Sequence, residues 1–178
     1  MALLSTLRMY LQRTKALDEP SDLYTHSVPL LGGGALDLRT LRGRPTLFVN
    51  TASKCGYTPQ FEGLQALYDR FGPRGLQIVG TPSADFLGQE HDDAEATSEV
   101  CHRNYGVAFP MTETMSVRAD PSPLWRDIAR QPGSKPPVWN FTKYLVDGEG
   151  RLVRRWATKV TPDDPDLLGA IEAALPAS

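Results

Sequence analysis

A chain of 178 residues with a formal net charge of −2 has the length of one domain and no basic excess, which argues against a nucleic-acid partner held through phosphate contacts. Hydrophobic residues at 40% and charged residues at 22% are the composition of a soluble globular fold, one long enough to bury a core without metal or disulfide staples. The 2 cysteines are not spaced as C-x-x-C and the 3 histidines are scattered, so a disulfide framework, a zinc ribbon, a paired dithiol motif and a histidine metal site all lack support.

In chain order, residues 1–20 read as an extension. Leu4, Leu7 and Leu11 form a short amphipathic stripe that Arg8 interrupts, which is neither an export signal nor a membrane span. Residues 21–178 read as a single domain. "LYTHSVPLLGGGALDL" predicts a β-hairpin turning at Gly32–Gly34, and "TLFVN" (46–50) a buried strand. In "TPQFEGLQALYDRFGPRG", Phe61, Leu64, Leu67, Tyr68 and Phe71 recur at helical spacing, with Thr58 as the expected cap, Pro59 in the first turn and Gly72-Pro73 as the stop. A strand over 75–82, a helix over 93–105 and a strand over "FPMTETMSV" (109–117) follow. The chain then predicts a helix opened by Ser122 and Pro123, a hairpin in "TKYLVDGEGRLVRRWA" and a closing amphipathic helix. The order implies a mixed sheet with helices on both faces, whose chemistry sits beyond the C-terminal ends of parallel strands.

Cys55 falls at such a position, between the strand at 46–50 and a helix start. A helix N-terminus offers unpaired N–H groups and the positive end of the macrodipole, both of which favour a thiolate. Gly56 permits close approach of the backbone, and Lys54 adds positive potential. Position alone leaves two readings open, a reactive thiolate or a buried structural cysteine. A cysteine hydrolase would need a histidine base, and nothing around His91 or His102 singles either out.

The segments "NTASKCGYTPQFEGLQALY", "GTPSADFLGQE", "VCHRNYGVAFP" and "VWNFTKYLVDGEGRLVRRW" resemble the glutathione peroxidase family in its cysteine branch, in family order over residues 22–157. The resemblance implies an α/β, thioredoxin-like fold: a central mixed β-sheet flanked by helices, with an N-terminal β-hairpin. It implies a peroxidase that reduces hydrogen peroxide and organic hydroperoxides, lipid hydroperoxides among them, without cofactor or metal. Cys55 would be the peroxidatic cysteine, and Gln89, Trp139 and Asn140 the polar groups around it, supplying two amide donors and an indole N–H. Taken singly, these three also read as a loop residue, a core anchor and a turn residue.

Cys101 lies where thioredoxin-dependent members carry the resolving cysteine. A disulfide needs Cα atoms within about 7 Å, so a helical Cys101 implies local unwinding around 93–105 during turnover. The resemblance makes thioredoxin the expected reductant, with glutathione as the alternative. Alternatives in other classes are a peroxide sensor or relay built on the same two cysteines and a redox-inert scaffold; within the enzymes, a peroxiredoxin would need threonine and arginine partners that are not evident. The chain departs from the family's "PCNQF" with Ser83, Ala84 and Asp85, and its short loop before "VWNF" implies a monomer or weak dimer. With no export signal visible, the cytoplasm is the expected compartment, where a transient disulfide is the expected kind.

Overall fold

A computed structural model describes residues 15–177, so the stripe expected at Leu4, Leu7 and Leu11 lies outside the described residues. An antiparallel hairpin comes first, β1 (Ser27–Pro29) and β2 (Ala35–Asp37). The main sheet contains β3 (Thr46–Thr51), β4 (Gln77–Pro82), β5 (Lys143–Val146) and β6 (Leu152–Trp156) in the order β4-β3-β5-β6. β4 runs parallel to β3, while β5 is antiparallel to both β3 and β6, so the sheet is mixed as the order of elements predicts.

The parallel pair requires a crossover, and α1 (Gln60–Phe71) supplies it. The helix ends as expected, with a tight turn over Gly72–Arg74 and then Gly75 at φ 116°, a left-handed conformation that suits glycine. Later helices are α2 (Ala94–Ser98), α3 (Pro123–Arg130) and α4 (Pro165–Ala174).

Every residue of β3 is buried, because both of its faces are covered. Side chains alternate across the strand. Leu47 and Val49 join a core with Phe61, Leu64, Leu67 and Phe71 of α1 and Leu167 and Ile171 of α4. Phe48 instead joins a second core with Leu124, Trp125 and Ile128 of α3. Ridges of apolar side chains from both faces therefore clamp β3 and fix where its C-terminal end, and hence Cys55, comes out.

Three expectations need correction. The strand predicted over 109–117 is not formed; the segment makes only two isolated bridges, Met111 to Gly80 and Thr112 to Leu30. Proline explains it: Pro110 has no N–H, nor do Pro82 on β4 and Pro29 on β1, so a regular ladder cannot be built on either side. The segment is instead a seam, with Thr112 N–H donating to Gly80 and Glu113 N–H to Pro29. The helix predicted over 93–105 is α-helical only through Ser98 and continues as a wide π-turn over Glu99–Asn104. Thr58 does not cap α1; its hydroxyl has another task, described below.

β6 is the outer strand of the sheet, with Val153 and Arg154 exposed along it. At the other end of the described chain, Leu17 N–H donates to the carbonyl of Arg130 at the end of α3. Among the described residues no helix is long and apolar enough to cross a membrane.

Candidate active site

Cys55 lies four residues past the end of β3, in a loop whose shape is set by hydrogen bonds from its own residues. Thr58 Oγ1 accepts from the Cys55 N–H at 3.0 Å and donates to the Ala52 carbonyl at 2.8 Å, a brace across the base of the loop. The brace frees Tyr57 N–H to point at the Cys55 sulfur, 3.4 Å away, a charge-assisted bond whenever that sulfur is anionic. Cys55 is 7% exposed, so most of its surface is enclosed by the loop and the core.

Two other loops close on this one. The Lys54 N–H donates to the Gln89 carbonyl at 2.9 Å, tying the cysteine loop to the "FLGQE" loop. Asn140 Nδ2 donates to Gln89 Oε1 at 3.1 Å, tying that loop to "VWNF". The Gln89 amide is thus engaged through its oxygen, which leaves its Nε2 donor for a ligand. Asn140 is fully buried, and its Oδ1 has no hydrogen-bond partner among the described residues. A buried orphan acceptor is uncommon and costs about 1–3 kcal/mol, a mark of a site kept for something other than stability.

Trp139 is half-buried, its ring 5.5 Å from that of Phe86. With Tyr57, Val138, Ala157, Thr158 and Lys159 it lines a shallow cleft of about 360 Å³ beside the cysteine loop. Two large apolar side chains in these loops stand out in solvent: Val138, which lines the cleft, is 46% exposed, and Leu87, two residues before Gln89, is 72% exposed. Among the described residues, Leu87 and the buried Phe141 are the two non-glycine residues with left-handed φ, 57° and 61°, and they lie close to Gln89 and Asn140 in sequence. Backbone held there costs about 1–3 kcal/mol and clusters at functional sites.

Cys101 joins the same continuous core as Cys55 but makes no bond to it; both are free thiols. It is fully buried in the π-turn, where its Sγ lies 3.7 Å from the Ser98 carbonyl. Burial pushes its pKa up to about 11, backbone hydrogen bonds pull the other way, and the Glu90 carboxylate adds to the rise. Cys101 is therefore a neutral thiol at physiological pH while the segment stays closed.

Sequence reasoning missed the groups that hold these loops in place. Asn50, at the end of β3, donates through Nδ2 to the Trp139 carbonyl and accepts from the Thr142 N–H. Lys143 on β5 is fully buried, with Nζ donating to Gln60 Oε1 and to the carbonyls of Thr158 and Val160. Gln60 donates in turn to the Thr158 carbonyl, and Thr158 Oγ1 to the Asn140 carbonyl, so the first turn of α1 is linked to "VWNF". Desolvation lowers the Lys143 pKa to about 7. The signal available in the sequence was a lysine between threonine and "YLV" in a strand with both faces covered.

Asp85, one of the departures from the family pattern, replaces an amide by a carboxylate. Its Oδ2 accepts from Ser116 Oγ and from the N–H groups of Val117, Arg118 and Ala119. A single carboxyl oxygen thus organises the loop over 116–119.

The family model for glutathione peroxidase matches residues 23–127. The hydroperoxy fatty acid reductase gpx1 of Synechocystis sp. is 40% identical over 152 residues, covering 80% of this chain and 90% of that protein. The glutathione peroxidase-like peroxiredoxin GPX5 of Chlamydomonas reinhardtii is 41% identical over 145 residues, with 79% and 90% covered. Among solved structures, the apo form of Trgpx aligns with a TM-score of 0.66 at 26% identity, over 88% of this chain and 99% of that one, and the shared fold is the thioredoxin-like one. The family match over more than half of the chain and the near-full-length relatives lead to one conclusion: this chain belongs to the glutathione peroxidase family.

Proposed function

We propose that the protein is a thiol peroxidase working through two cysteines, with Cys55 as nucleophile and Cys101 as resolving thiol. The observation that carries the reading is a chain of hydrogen bonds that ties the Gln89 and Asn140 loops to the cysteine loop: Tyr57 N–H to Cys55 Sγ, Lys54 N–H to the Gln89 carbonyl, and Asn140 Nδ2 to Gln89 Oε1. The Cys55 thiolate attacks one peroxide oxygen; the O–O bond breaks, and the departing alkoxide or hydroxide takes a proton to leave as alcohol or water. Gln89 Nε2 and the Trp139 indole N–H are the donors assigned to the charge that builds on the leaving oxygen. The orphaned Asn140 Oδ1 is the acceptor assigned to the O–H of the incoming hydroperoxide.

The sulfenic acid on Cys55 then condenses with the Cys101 thiol, forming a disulfide and releasing water. An external dithiol, thioredoxin in this reading, reduces the disulfide by two exchange steps and leaves as a disulfide itself. Support for a two-cysteine route comes from the shared core of Cys55 and Cys101 and from the π-turn around Cys101, a local irregularity common at functional sites. The apolar cleft at Trp139 and the exposed Leu87 and Val138 favour fatty acyl hydroperoxides among the substrates, in keeping with the name of the Synechocystis relative. The protein is expected to act as a monomer or weak dimer.

Intact-mass measurement after one equivalent of hydrogen peroxide, followed by thiol alkylation, tests the reading. Wild type should lose two hydrogens and resist alkylation, Cys101→Ser should hold one added oxygen at Cys55, and Cys55→Ser should remain unoxidised. Two alkylatable thiols in peroxide-treated wild type would end the two-cysteine reading.

A further inference from the structure

The residue after Gln89 has no part in the chemistry above, yet it is buried and ionisable. Glu90 is 3% exposed, and its Oε1 accepts from the His91 N–H at 2.8 Å and from Thr97 Oγ1 at 3.0 Å. No cation pairs with it among the described residues, so those two donors are what it has. Thr97 is itself 1% exposed and stands on α2, four residues ahead of Cys101. This buried hydrogen bond from a hydroxyl to a carboxyl oxygen joins the loop carrying Gln89 to the Cys101 segment.

Beyond the burial of Cys101 in the core, that segment has few hydrogen bonds to keep it helical. α2 spans five residues, Ala94–Ser98, capped by Asp93 through the N–H groups of Glu95 and Ala96. Helices this short do not persist on propensity alone. The π-turn that follows is anchored at its far end by Val107 N–H to the Cys101 carbonyl and by the His102 ring to the Val107 carbonyl. Between the cap and that anchor, the Thr97–Glu90 bond is the side-chain tether to the loop carrying Gln89.

We propose that Glu90 is a positioning residue for the resolving step: by accepting from Thr97 it latches the Cys101 segment in its closed form, and release of that bond is the opening that delivers Cys101 to oxidised Cys55. The inference rests on the two-cysteine reading. Gln89 and Glu90 share a peptide bond, and the Gln89 carbonyl is held by the N–H of Lys54, the neighbour of Cys55. Any displacement of the cysteine loop as the sulfur gains an oxygen is therefore passed through one residue to the acceptor of Thr97. The condensation itself needs no further reactant: the sulfenic S–O bond breaks as the S–S bond forms, and the hydroxyl leaves as water with the Cys101 proton.

The test separates the two chemical steps in the full-length reduced protein. Stopped-flow fluorescence follows oxidation of Cys55 by hydrogen peroxide, and rapid quench with an alkylating reagent followed by mass analysis follows the disulfide. Thr97→Val, which keeps shape and removes the hydroxyl, should speed disulfide formation by about fivefold to tenfold, the scale of one intramolecular hydrogen bond. The first step should change by less than about twofold, since Thr97 touches none of the groups at Cys55. Thr97→Ser should restore the wild-type rate, and hydrogen exchange at 99–104 should quicken in Thr97→Val alone. An unchanged or slower disulfide step in Thr97→Val, with wild type forming its disulfide normally, overturns the latch. Failure of wild type to form a Cys55–Cys101 disulfide overturns the two-cysteine reading and the latch with it.

Discussion

Replacing Lys143 by methionine removes a buried cation while keeping the side chain's length and apolar stem. Desolvation brings the Lys143 pKa from 10.5 to about 7. At about 1.4 kcal/mol per pKa unit, that fall corresponds to about 5 kcal/mol of cost for carrying the charge in the folded protein at pH 7 and below. Lys143→Met relieves this cost but strands Gln60 Oε1 and the Val160 carbonyl, each at about 1–3 kcal/mol. The two effects are of similar size, so the difference at one pH decides little; its pH dependence decides much. Between pH 7 and 10.5 the unfolded chain holds the lysine proton and the folded chain has lost it, so stability contributed at this site rises with pH. Below pH 7 both states are protonated and the full cost stands. Relative to Lys143→Met, wild type should therefore gain about 2 kcal/mol from pH 7 to pH 9, read as the difference in urea unfolding free energies under reducing conditions. Every other titrating group is common to the two proteins and cancels. A flat difference over that range would refute the reasoning, and would mean that the three oxygens around Nζ keep the ammonium charged in the fold.

Two further outcomes follow from the loops. Asp85→Ala removes the acceptor of four donors over 116–119 and should cost at least about 2 kcal/mol in urea unfolding, whereas Asp85→Asn, which keeps an oxygen in place, should recover more than half of it; an unchanged midpoint for the alanine variant would contradict this. Leu87→Ser combined with Val138→Ser should raise KM for a linoleic acid hydroperoxide by about fivefold, the scale of partly burying one or two apolar side chains, and leave turnover of hydrogen peroxide unaltered. Equal losses on both substrates would mean that these side chains shape the loops and do not contact an acyl chain.

What the sequence disclosed and what it withheld divide along a physical line. Periodicity and punctuation are local, so the hairpin, β3, β4 and the helices were legible from Leu47, Phe61, Gly75 and Pro123 and their neighbours. The grouping of Cys55, Gln89, Trp139 and Asn140 was legible through motif resemblance, and three of its segments are indeed joined by hydrogen bonds at Lys54, Gln89 and Asn140. Thr58 misled because a threonine before Pro59 satisfies the rule for a helix cap, while the tight loop behind it offered the Cys55 N–H and the Ala52 carbonyl as better-placed partners. The 109–117 segment misled because alternation on one chain says nothing about the prolines on the two chains it must pair with. Asn50, Gln60, Lys143 and Glu90 were invisible as tethers, because the bonds by which they tie one segment to another span seven to ninety-eight positions in the chain and no local rule links them.

The outer position of β6 has a consequence for the protein's behaviour in a crowded solution under oxidative load. An open strand is a template on which a second copy can add its own strand, the first step of aggregation. Val153 makes this edge attractive, while Arg154, paired with Asp166, and Arg155, lying over Tyr144, put polar groups on the two faces beside it. At the opposite border the 110–115 seam occupies the backbone of β4. The Cys101 segment contributes a helical turn and no strand to the fold, so opening it as proposed above would uncover no new edge.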